Sequence, residues 1–354
     1  MVADHRSALY SAWEAFGDHR RIVAIYDTSP MVSTNTVYRL DLDLPDDSGS
    51  RRVFAKISNY GSYFLFAEDH DRLFRCSQLL RGTRFDGFLA PVLGRNDRPF
   101  TYYDERVWVA FYSEARRGES LPARLTARQT RCLAREMATF HDACTDIAPA
   151  VPATSNSIKS DAIHLLDLLS SPFASRNFEL STEHVSLLWR RTHDLLLTME
   201  NIRYDSWTRI PILVDWNLGN FSVRSDLSGD FELHSRWDYD WFRVESRILD
   251  FYFLSRVSSA TGDRTHWTYS PHTLTEPSFA DFIAAYHAVS PLTEEEIRFL
   301  PVAYTFFIVN YVVREGARFF RPDLCAQFRN DAARVYLPAV DRLNIDPLLR
   351  IVTS

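Results

Sequence analysis

The sequence predicts an α+β protein with two lobes, in which a small antiparallel sheet with one helix precedes a larger, mostly helical lobe. Residues 21–112 contain five short strand-like runs, separated by turn residues. After Gly118, apolar residues recur at helical spacing instead. A chain of 354 residues also exceeds what one hydrophobic core usually organises. We therefore expect a first lobe over residues 1–112, a hinge over 113–118 and a second lobe over 119–354.

The first lobe is predicted to be a five-stranded meander with a helix inserted after its third strand. The predicted strands cover residues 21–26, 37–44, 51–58, 88–93 and 106–112, and the helices cover 3–16 and 64–80. Residues 102–105 are expected to form a turn. In the second lobe, helices are predicted over 126–144, 161–169, 182–201, 245–257 and 278–287. A further helix is expected to begin at the capping box Thr293 to Glu296 and to continue, with or without a break, toward Phe320.

Bulk properties exclude several classes of protein. The net charge of −6 does not favour nucleic acid, although it is compatible with a cationic substrate. The four cysteines are scattered without metal-ligand spacing, which fits a reduced, cytoplasmic setting. No signal peptide is evident. The longest near-apolar run, 302–313, is too short for a membrane span and predicts a buried helix, so no membrane contact is expected.

Residues 212–223 have the strongest functional pattern. A short apolar strand ends at Asp215, and a polar turn carries Asn220 five positions later, before a second strand. In phosphoryl transfer an aspartate orients the attacking hydroxyl, and an asparagine oxygen can hold Mg²⁺. Asp238, eighteen residues after Asn220, is a candidate second metal ligand. The alternative is an ordinary hairpin, since Asp and Asn are common turn residues.

This order of elements, with the Asp-x-x-x-x-Asn spacing and the later Asp-aromatic-acid triplet, resembles the aminoglycoside phosphotransferase and choline kinase superfamily. The resemblance covers nearly the whole chain, from about Arg21 to Phe320. It implies the fold of protein kinases, with ATP and Mg²⁺ as cofactors and GTP as an alternative nucleotide.

The resemblance also implies roles for individual residues. Asp215 would face the acceptor hydroxyl as the catalytic residue. Asn220 and Asp238 would bind the metal. Lys56, on the third strand, would pair the α- and β-phosphates. Its expected ion-pair partner on the following helix is Glu68, with Asp69 and Asp71 as rivals.

Other positions would surround the nucleotide or support the catalytic loop. Backbone groups of the hinge at Glu114 and Ala115 would hold the adenine edge. The loop covering the phosphates would contain Ser33, Thr34 and Asn35. The resemblance assigns Asp250 to bracing the catalytic loop. His141 is expected to be packed or to cap its helix, and His234 to be structural.

The aromatic residues near these turns have two interpretations. Trp216, Trp241 and their aromatic neighbours are most simply core residues. Alternatively, Trp216 and Trp241 line an acceptor pocket together with Asp240, where a ring stacks on a sugar or a cation.

The sequence departs from the superfamily before Asp215, where Leu213-Val214 stands in place of the usual His-Gly. The Val predicts a different backbone there, and the covering loop lacks glycine.

The main hypothesis is a small-molecule kinase whose acceptor is a sugar, amino sugar or aminoglycoside. Choline-like and homoserine-like acceptors remain open. The alternative is a catalytically weak, kinase-like protein that binds a nucleotide or a partner. Protein-kinase activity is disfavoured because no Ala-Pro-Glu segment is present and Asp238 is followed by Tyr-Asp instead of Phe-Gly.

Overall fold

The computed structural model describes residues 5–29, 35–47, 49–59, 61–262, 268–318 and 320–353. They form two compact units. The first unit comprises the described residues up to Gly118 together with His234–Asp240. The second comprises Glu119–Leu233 and the described residues from Trp241 onward. The first unit therefore combines the chain up to Gly118 with a short segment from much later in the sequence.

The first unit is built on a five-stranded antiparallel sheet with strand order β1-β2-β3-β7-β6. Its elements are α1 (His5–Phe16), β1 (Ile22–Asp27), β2 (Thr36–Leu42), β3 (Arg52–Ser58), α2 (Tyr63–Leu79), β4 (Gly94–Arg95), β5 (Arg98–Pro99), β6 (Thr101–Tyr103) and β7 (Trp108–Ser113). The predicted small sheet with a helix after its third strand is confirmed.

One strand of this sheet was assigned wrongly from the sequence. The run 88–93 makes only isolated bridges, Leu89 with Arg236 and Val92 with Tyr112. Pro91 interrupts the run because proline has no backbone N–H to donate to a ladder. The fifth strand of the sheet is instead Thr101–Tyr103, part of which was expected to be a turn.

The two faces of β3 have different environments because successive side chains on a strand point to opposite faces. Val53, Ala55 and Ile57 are buried in a core cluster with Leu9 and Trp13 of α1. Lys56 lies between them in the sequence and therefore points to the face opposite α1. The helix α1 thus covers one face of the sheet, and Lys56 occupies the other.

The second unit is mainly helical. Its elements are α3 (Ala127–Ile147), α4 (Ile158–Ser170), α5 (Ala174–Phe178), α6 (Thr182–Asn201), β8 (Ile210–Ile212), β9 (Phe221–Ser225), β10 (Phe231–Arg236, whose last three residues belong to the first unit), β11 (Arg243–Glu245), α7 (Phe251–Ser258), α8 (Pro277–His287), α9 (Glu294–Phe307), α10 (Pro322–Asp331), α11 (Leu337–Val340) and α12 (Asp346–Thr353). The strand β8 pairs with β11 and β9 pairs with β10.

The helix that begins at Glu294 has the predicted capping box, in which the Thr293 hydroxyl accepts from the Glu296 N–H and the Glu296 carboxylate accepts from the Thr293 N–H. Its regular part ends at Phe307, in agreement with the break that the sequence allows before Phe320. From Ile308 to Arg314 it widens into a π-helix, and a short 3₁₀ turn follows at Gly316–Arg318.

The stretch Glu294–Arg314 is long and apolar enough to cross a membrane. However, 72% of the 18-residue apolar segment within it is buried in the protein. Such burial is what the core helix of a folded domain shows.

Packing of α1 on the sheet should contribute strongly to the stability of the first unit. The Trp13 ring packs edge-on against Phe111 with ring centroids 5.0 Å apart, and its Nε1–H donates to the Arg20 carbonyl at 2.7 Å. We expect Trp13→Ala to lower the free energy of unfolding by about 3–5 kcal/mol, because a buried ring is replaced by a cavity. Urea denaturation followed by circular dichroism measures this. Tyr10→Ala, at an exposed position of the same helix, should change stability by less than about 0.5 kcal/mol. Equal losses in the two variants would contradict the packing of α1.

Candidate functional site

The predicted catalytic loop connects β8 to β9 in the second unit. After β8, the Asp215 N–H donates to the Leu213 carbonyl at 2.7 Å and the Trp216 N–H to the Val214 carbonyl at 3.1 Å. The Asp215 carboxylate accepts from the Asn217 N–H at 3.2 Å. A 3₁₀ turn at Leu218–Asn220 then leads into β9. The loop is therefore tightly folded, and its Asn220 amide nitrogen lies 3.5 Å from the Asp215 carbonyl oxygen.

Val214 adopts a left-handed backbone conformation with φ of 59°. This region is unfavourable for a β-branched residue, at a cost of about 1–2 kcal/mol. The sequence predicts an unusual backbone at Val214, and the structure shows a conformation that glycine adopts more easily than valine. The Val side chain is therefore accommodated in a backbone position that is strained for it.

A buried hydrogen-bond chain holds this strained turn in place. The Val214 N–H donates to Asp250 Oδ1 at 2.7 Å, and Asp250 Oδ2 lies 2.9 Å from His141 Nε2. The other His141 nitrogen, Nδ1, lies 2.7 Å from the Tyr286 hydroxyl. Because an ionised carboxylate only accepts, His141 donates its Nε2–H to Asp250. Asp250 makes the contact expected of a brace, and His141 proves to be its partner on α3.

Apolar burial also anchors the loop. Leu213 and Val214 are each 1% exposed, and Trp216 is fully buried between Phe140 and Phe221. Burying an aliphatic side chain of this size contributes about 1.5–3 kcal/mol, which exceeds the cost of the left-handed backbone. Leu213 and Val214 thus secure the loop through the core. Trp216 is a core residue, which agrees with the simpler of its two interpretations and not with the alternative of an acceptor pocket.

Substitutions at Val214 should reveal the strain. At an ordinary buried position, glycine is less stable than alanine by roughly 0.5–1 kcal/mol because it loses more backbone entropy. At Val214 the left-handed conformation is unfavourable for alanine but not for glycine. We therefore expect Val214→Gly to be at least as stable as Val214→Ala. The measurement is the free energy of unfolding in urea.

Val223 provides the matched control, since it is equally buried but lies on the strand β9. There the glycine variant should be less stable than the alanine variant by the usual amount. The same order at both positions would contradict a strained backbone at Val214.

The second group of predicted residues surrounds Lys56 in the first unit. Lys56 is 9% exposed and forms an ion pair with Asp240. Burial alone lowers the pKa of its ammonium group. The charges of Asp240 and Asp238, the hydrogen bond to Asp240 and the charge of Asp69 outweigh burial, and the pKa is raised. Lys56 is therefore fully protonated at neutral pH, and several carboxylates stabilise its charge.

The expected pairing of Lys56 with Glu68 is wrong. Glu68 lies one helical turn before Arg72 on α2, and its carboxylate pairs with that guanidinium. Arg72 also donates to the Glu68 carbonyl at 2.9 Å. The ion pair of Lys56 is instead made by Asp240, from a segment nearly two hundred residues away in the sequence, and sequence spacing offered no signal for it. Of the rivals, Asp69 contributes only through its charge.

The segment His234–Asp240 is hydrogen-bonded to residues 88–90 of the same unit. The Arg236 N–H donates to the Phe88 carbonyl at 2.6 Å, and the Ala90 N–H donates to the Tyr239 hydroxyl at 2.7 Å. Asp238 is exposed and, like Val214, has a positive φ, here 66°. Aspartate tolerates this conformation better than most residues. The turn thus presents the Asp238 carboxylate to solvent while its neighbours anchor the chain.

A buried histidine that the sequence did not single out lies close to Lys56. His70 of α2 has its Nδ1 2.6 Å from the Phe66 carbonyl and its Nε2 2.6 Å from the Tyr112 hydroxyl. The carbonyl requires Nδ1–H as donor, so Nε2 accepts from Tyr112. Burial, and secondarily the charge of Lys56, lower the pKa of His70 to about 3. His70 is therefore neutral in the folded protein.

This depressed pKa makes stability depend on pH. Between pH 6.5 and about 3 the unfolded chain protonates His70 while the folded chain does not. The free energy of unfolding should therefore fall as pH decreases through this window, by up to about 1.4 kcal/mol per pH unit from this group. We expect His70→Asn to have a flatter dependence than the wild type between pH 6.5 and 4.5, measured by urea denaturation. His19→Asn, at an exposed histidine, should retain the wild-type slope. Parallel slopes for His70→Asn and the wild type would refute the assignment.

The remaining predicted residues have mixed outcomes. The Glu114 carboxylate is engaged by Arg52 at 3.0 Å and Ser50 at 3.1 Å, so its side chain has a structural role and only its backbone remains a candidate for nucleotide contact. Ala115 is partly buried. Asn35 precedes β2, whereas Ser33 and Thr34 lie outside the described residues.

Trp241 stacks on Tyr311 with centroids 4.5 Å apart and also contacts Phe253 and Phe307, which favours packing over acceptor binding.

The chain has the fold of small-molecule kinases of the aminoglycoside phosphotransferase type. An amicoumacin kinase, solved with AMP-PNP, Ca²⁺ and its ligand, is similar with a TM-score of 0.62 at 14% identity, over 97% of this chain and 95% of that one. A microcompartment-associated aminopropanol kinase gives 0.59 at 16% identity, over 98% and 99%. An aminoglycoside 2″-phosphotransferase with GDP and kanamycin gives 0.58 at 14% identity, over 95% and 98%.

No protein-family model and no curated protein matches the sequence. The likeness is therefore one of fold, and it extends over almost the entire length of each of these three structures. The resemblance predicted from the sequence is confirmed at that level.

Proposed function

We propose that the protein is an ATP- and Mg²⁺-dependent phosphotransferase acting on a hydroxyl group of a small molecule. The observation that carries this proposal is that Lys56 is buried and charged. Burying an ion pair costs desolvation free energy, and a hydrophobic side chain at this position would stabilise the sheet as well. The place of Lys56 on the third strand of a kinase-like sheet suits a group that binds nucleotide phosphates.

The proposed roles follow the chemistry of each group. Asp215 orients the acceptor hydroxyl and accepts its proton late in the transfer. Lys56 offsets the phosphate charge. Backbone groups of Glu114 and Ala115 bind the adenine edge. Asn35, together with Ser33 and Thr34, belongs to the loop that covers the phosphates.

The residues proposed for the metal fit Mg²⁺ by their donor chemistry. Asn220 offers an amide oxygen and Asp238 an exposed carboxylate, and Mg²⁺ prefers hard oxygen ligands. No group of three or more His, Cys, Asp or Glu side chains that could hold a metal occurs within the described residues. Mg²⁺ in kinases is usually held by one or two protein oxygens together with substrate phosphates, so two ligands are compatible with its binding. When bound, the metal would neutralise phosphate charge.

The proposed acceptor is an amine-bearing alcohol, with an aminoglycoside or other amino sugar as the first choice. The structural neighbours include an aminopropanol kinase and a phosphotransferase bound to kanamycin. The net charge of −6 suits a cationic substrate. Simple sugars, choline-like and homoserine-like alcohols, and GTP in place of ATP, belong in the same screen.

The test is nucleotide turnover with Mg²⁺ across this panel. We expect the wild type to phosphorylate at least one acceptor and Asp215→Asn to lower kcat by about 10²–10⁴-fold with nucleotide binding retained, because a positioned base contributes that much. Asp194→Asn, at an exposed position of α6, is the matched control and should retain full activity. If the wild type and Asp215→Asn bind nucleotide but are equally inert on every acceptor, the protein is a catalytically weak, kinase-like binding protein instead.

A further inference from the structure

We propose that Asp240 is the positioning residue for Lys56, in the place that an acidic side chain of helix α2 was expected to fill. This inference rests on the proposed function and concerns how its nucleotide site is built. The carboxylate of Asp240 would hold the Lys56 ammonium in the orientation needed to meet nucleotide phosphates.

The first argument is that the structure provides Lys56 with one ion-pair partner among the described residues, and it is Asp240. Both side chains are largely withdrawn from water, with 11% of Lys56 and 17% of Asp240 exposed. A charge that is buried to this degree requires a counterion, since an uncompensated one destabilises the fold strongly. Asp240 therefore decides where the ammonium group lies.

The second argument is that the expected partner on α2 is committed elsewhere. The Glu68 carboxylate faces Arg72 of its own helix, and Arg72 is itself buried. Transferring Glu68 to Lys56 would leave the Arg72 guanidinium without this carboxylate. Asp69 contributes only through its charge, which is the weakest of the influences on Lys56.

The third argument is that Asp240 is held firmly enough to position another group. The preceding residue, Tyr239, is buried and stacks on Tyr112 of β7 with centroids 6.0 Å apart. Its hydroxyl donates to the Arg236 carbonyl and accepts from the Ala90 N–H. The segment that carries Asp240 is thus fastened to the same unit as the strand that carries Lys56. Its location also places Asp240 two residues from the proposed metal ligand Asp238, so one anchored turn supplies both carboxylates.

A double-mutant cycle on the intact protein tests the inference. The variants are Lys56→Met, Asp240→Asn and the pair together, and the measurements are the Kd of Mg·ATP by calorimetry and the KM values for ATP and acceptor. We expect Asp240→Asn to raise the Kd and the KM for ATP at least tenfold and to leave the KM for the acceptor within twofold. If Asp240 acts through Lys56, adding Asp240→Asn to Lys56→Met should produce no further loss of nucleotide affinity.

Three further variants separate positioning from a general structural effect. Asp240→Glu keeps the charge and should recover part of the lost affinity. Glu68→Gln tests the expected helix partner and should change the Kd less than twofold. Asp41→Asn makes the same chemical change in the Arg39–Asp41 ion pair of the same sheet, and it should leave the Kd of Mg·ATP unchanged. Circular dichroism at the assay temperature verifies that each variant is folded.

Two results would overturn the inference while leaving the proposed function intact. One is an Asp240→Asn effect of equal size with and without Lys56, which would mean that Asp240 acts on the nucleotide or the metal independently. The other is a larger loss for Glu68→Gln than for Asp240→Asn. A wild type that binds no nucleotide at all would overturn the proposed function, and with it this inference.

Discussion

The hydrogen bond from the Val214 N–H to the Asp250 carboxylate fixes the loop on which the proposed chemistry depends. It is buried, its acceptor is oriented by His141, and it holds a β-branched residue in a left-handed conformation. Strained backbone of this kind persists only where surrounding structure determines it, and it is commonly found at functional sites. Here the determining structure consists of one carboxylate and the buried side chains of Leu213, Val214 and Trp216. The loop is consequently held by hydrogen bonds and apolar burial.

The first unit faces a different physical problem, which is the burial of a charge. Lys56 occupies the side of the sheet opposite α1, where a hydrophobic residue would be the simpler choice. Its charge is compensated by Asp240, with Asp238 and Asp69 contributing at longer range. Nearby, His70 and Tyr112 are buried as a neutral, mutually hydrogen-bonded pair. Buried cations of this unit are thus paired with carboxylates, Lys56 with Asp240 and Arg72 with Glu68.

Much of this arrangement could be predicted from residue patterns. Strands β1, β2, β3 and β7 and helix α6 follow from alternation or helical spacing, and α9 begins at its capping box. Errors occurred where context overrides pattern. The apolar run 88–93 resembled a strand, but Pro91 and its bridges to distant residues prevent it from forming a continuous one. For Trp216 the sequence left both a core role and a substrate-facing role open, and the structure encloses it in the core.

The sequence by itself determined the order of elements and the position of Lys56 on β3. It also determined that Asp215 and Asn220 lie on the same short loop. These are local properties, set by periodicity and by turn chemistry. Only the tertiary structure decided which charges meet. Glu68 is four residues from Arg72 and pairs with it, whereas Asp240 reaches Lys56 because the Tyr239 turn is fastened to residues 88–90. The partner of Lys56 is therefore chosen by long-range packing, and sequence spacing does not encode it.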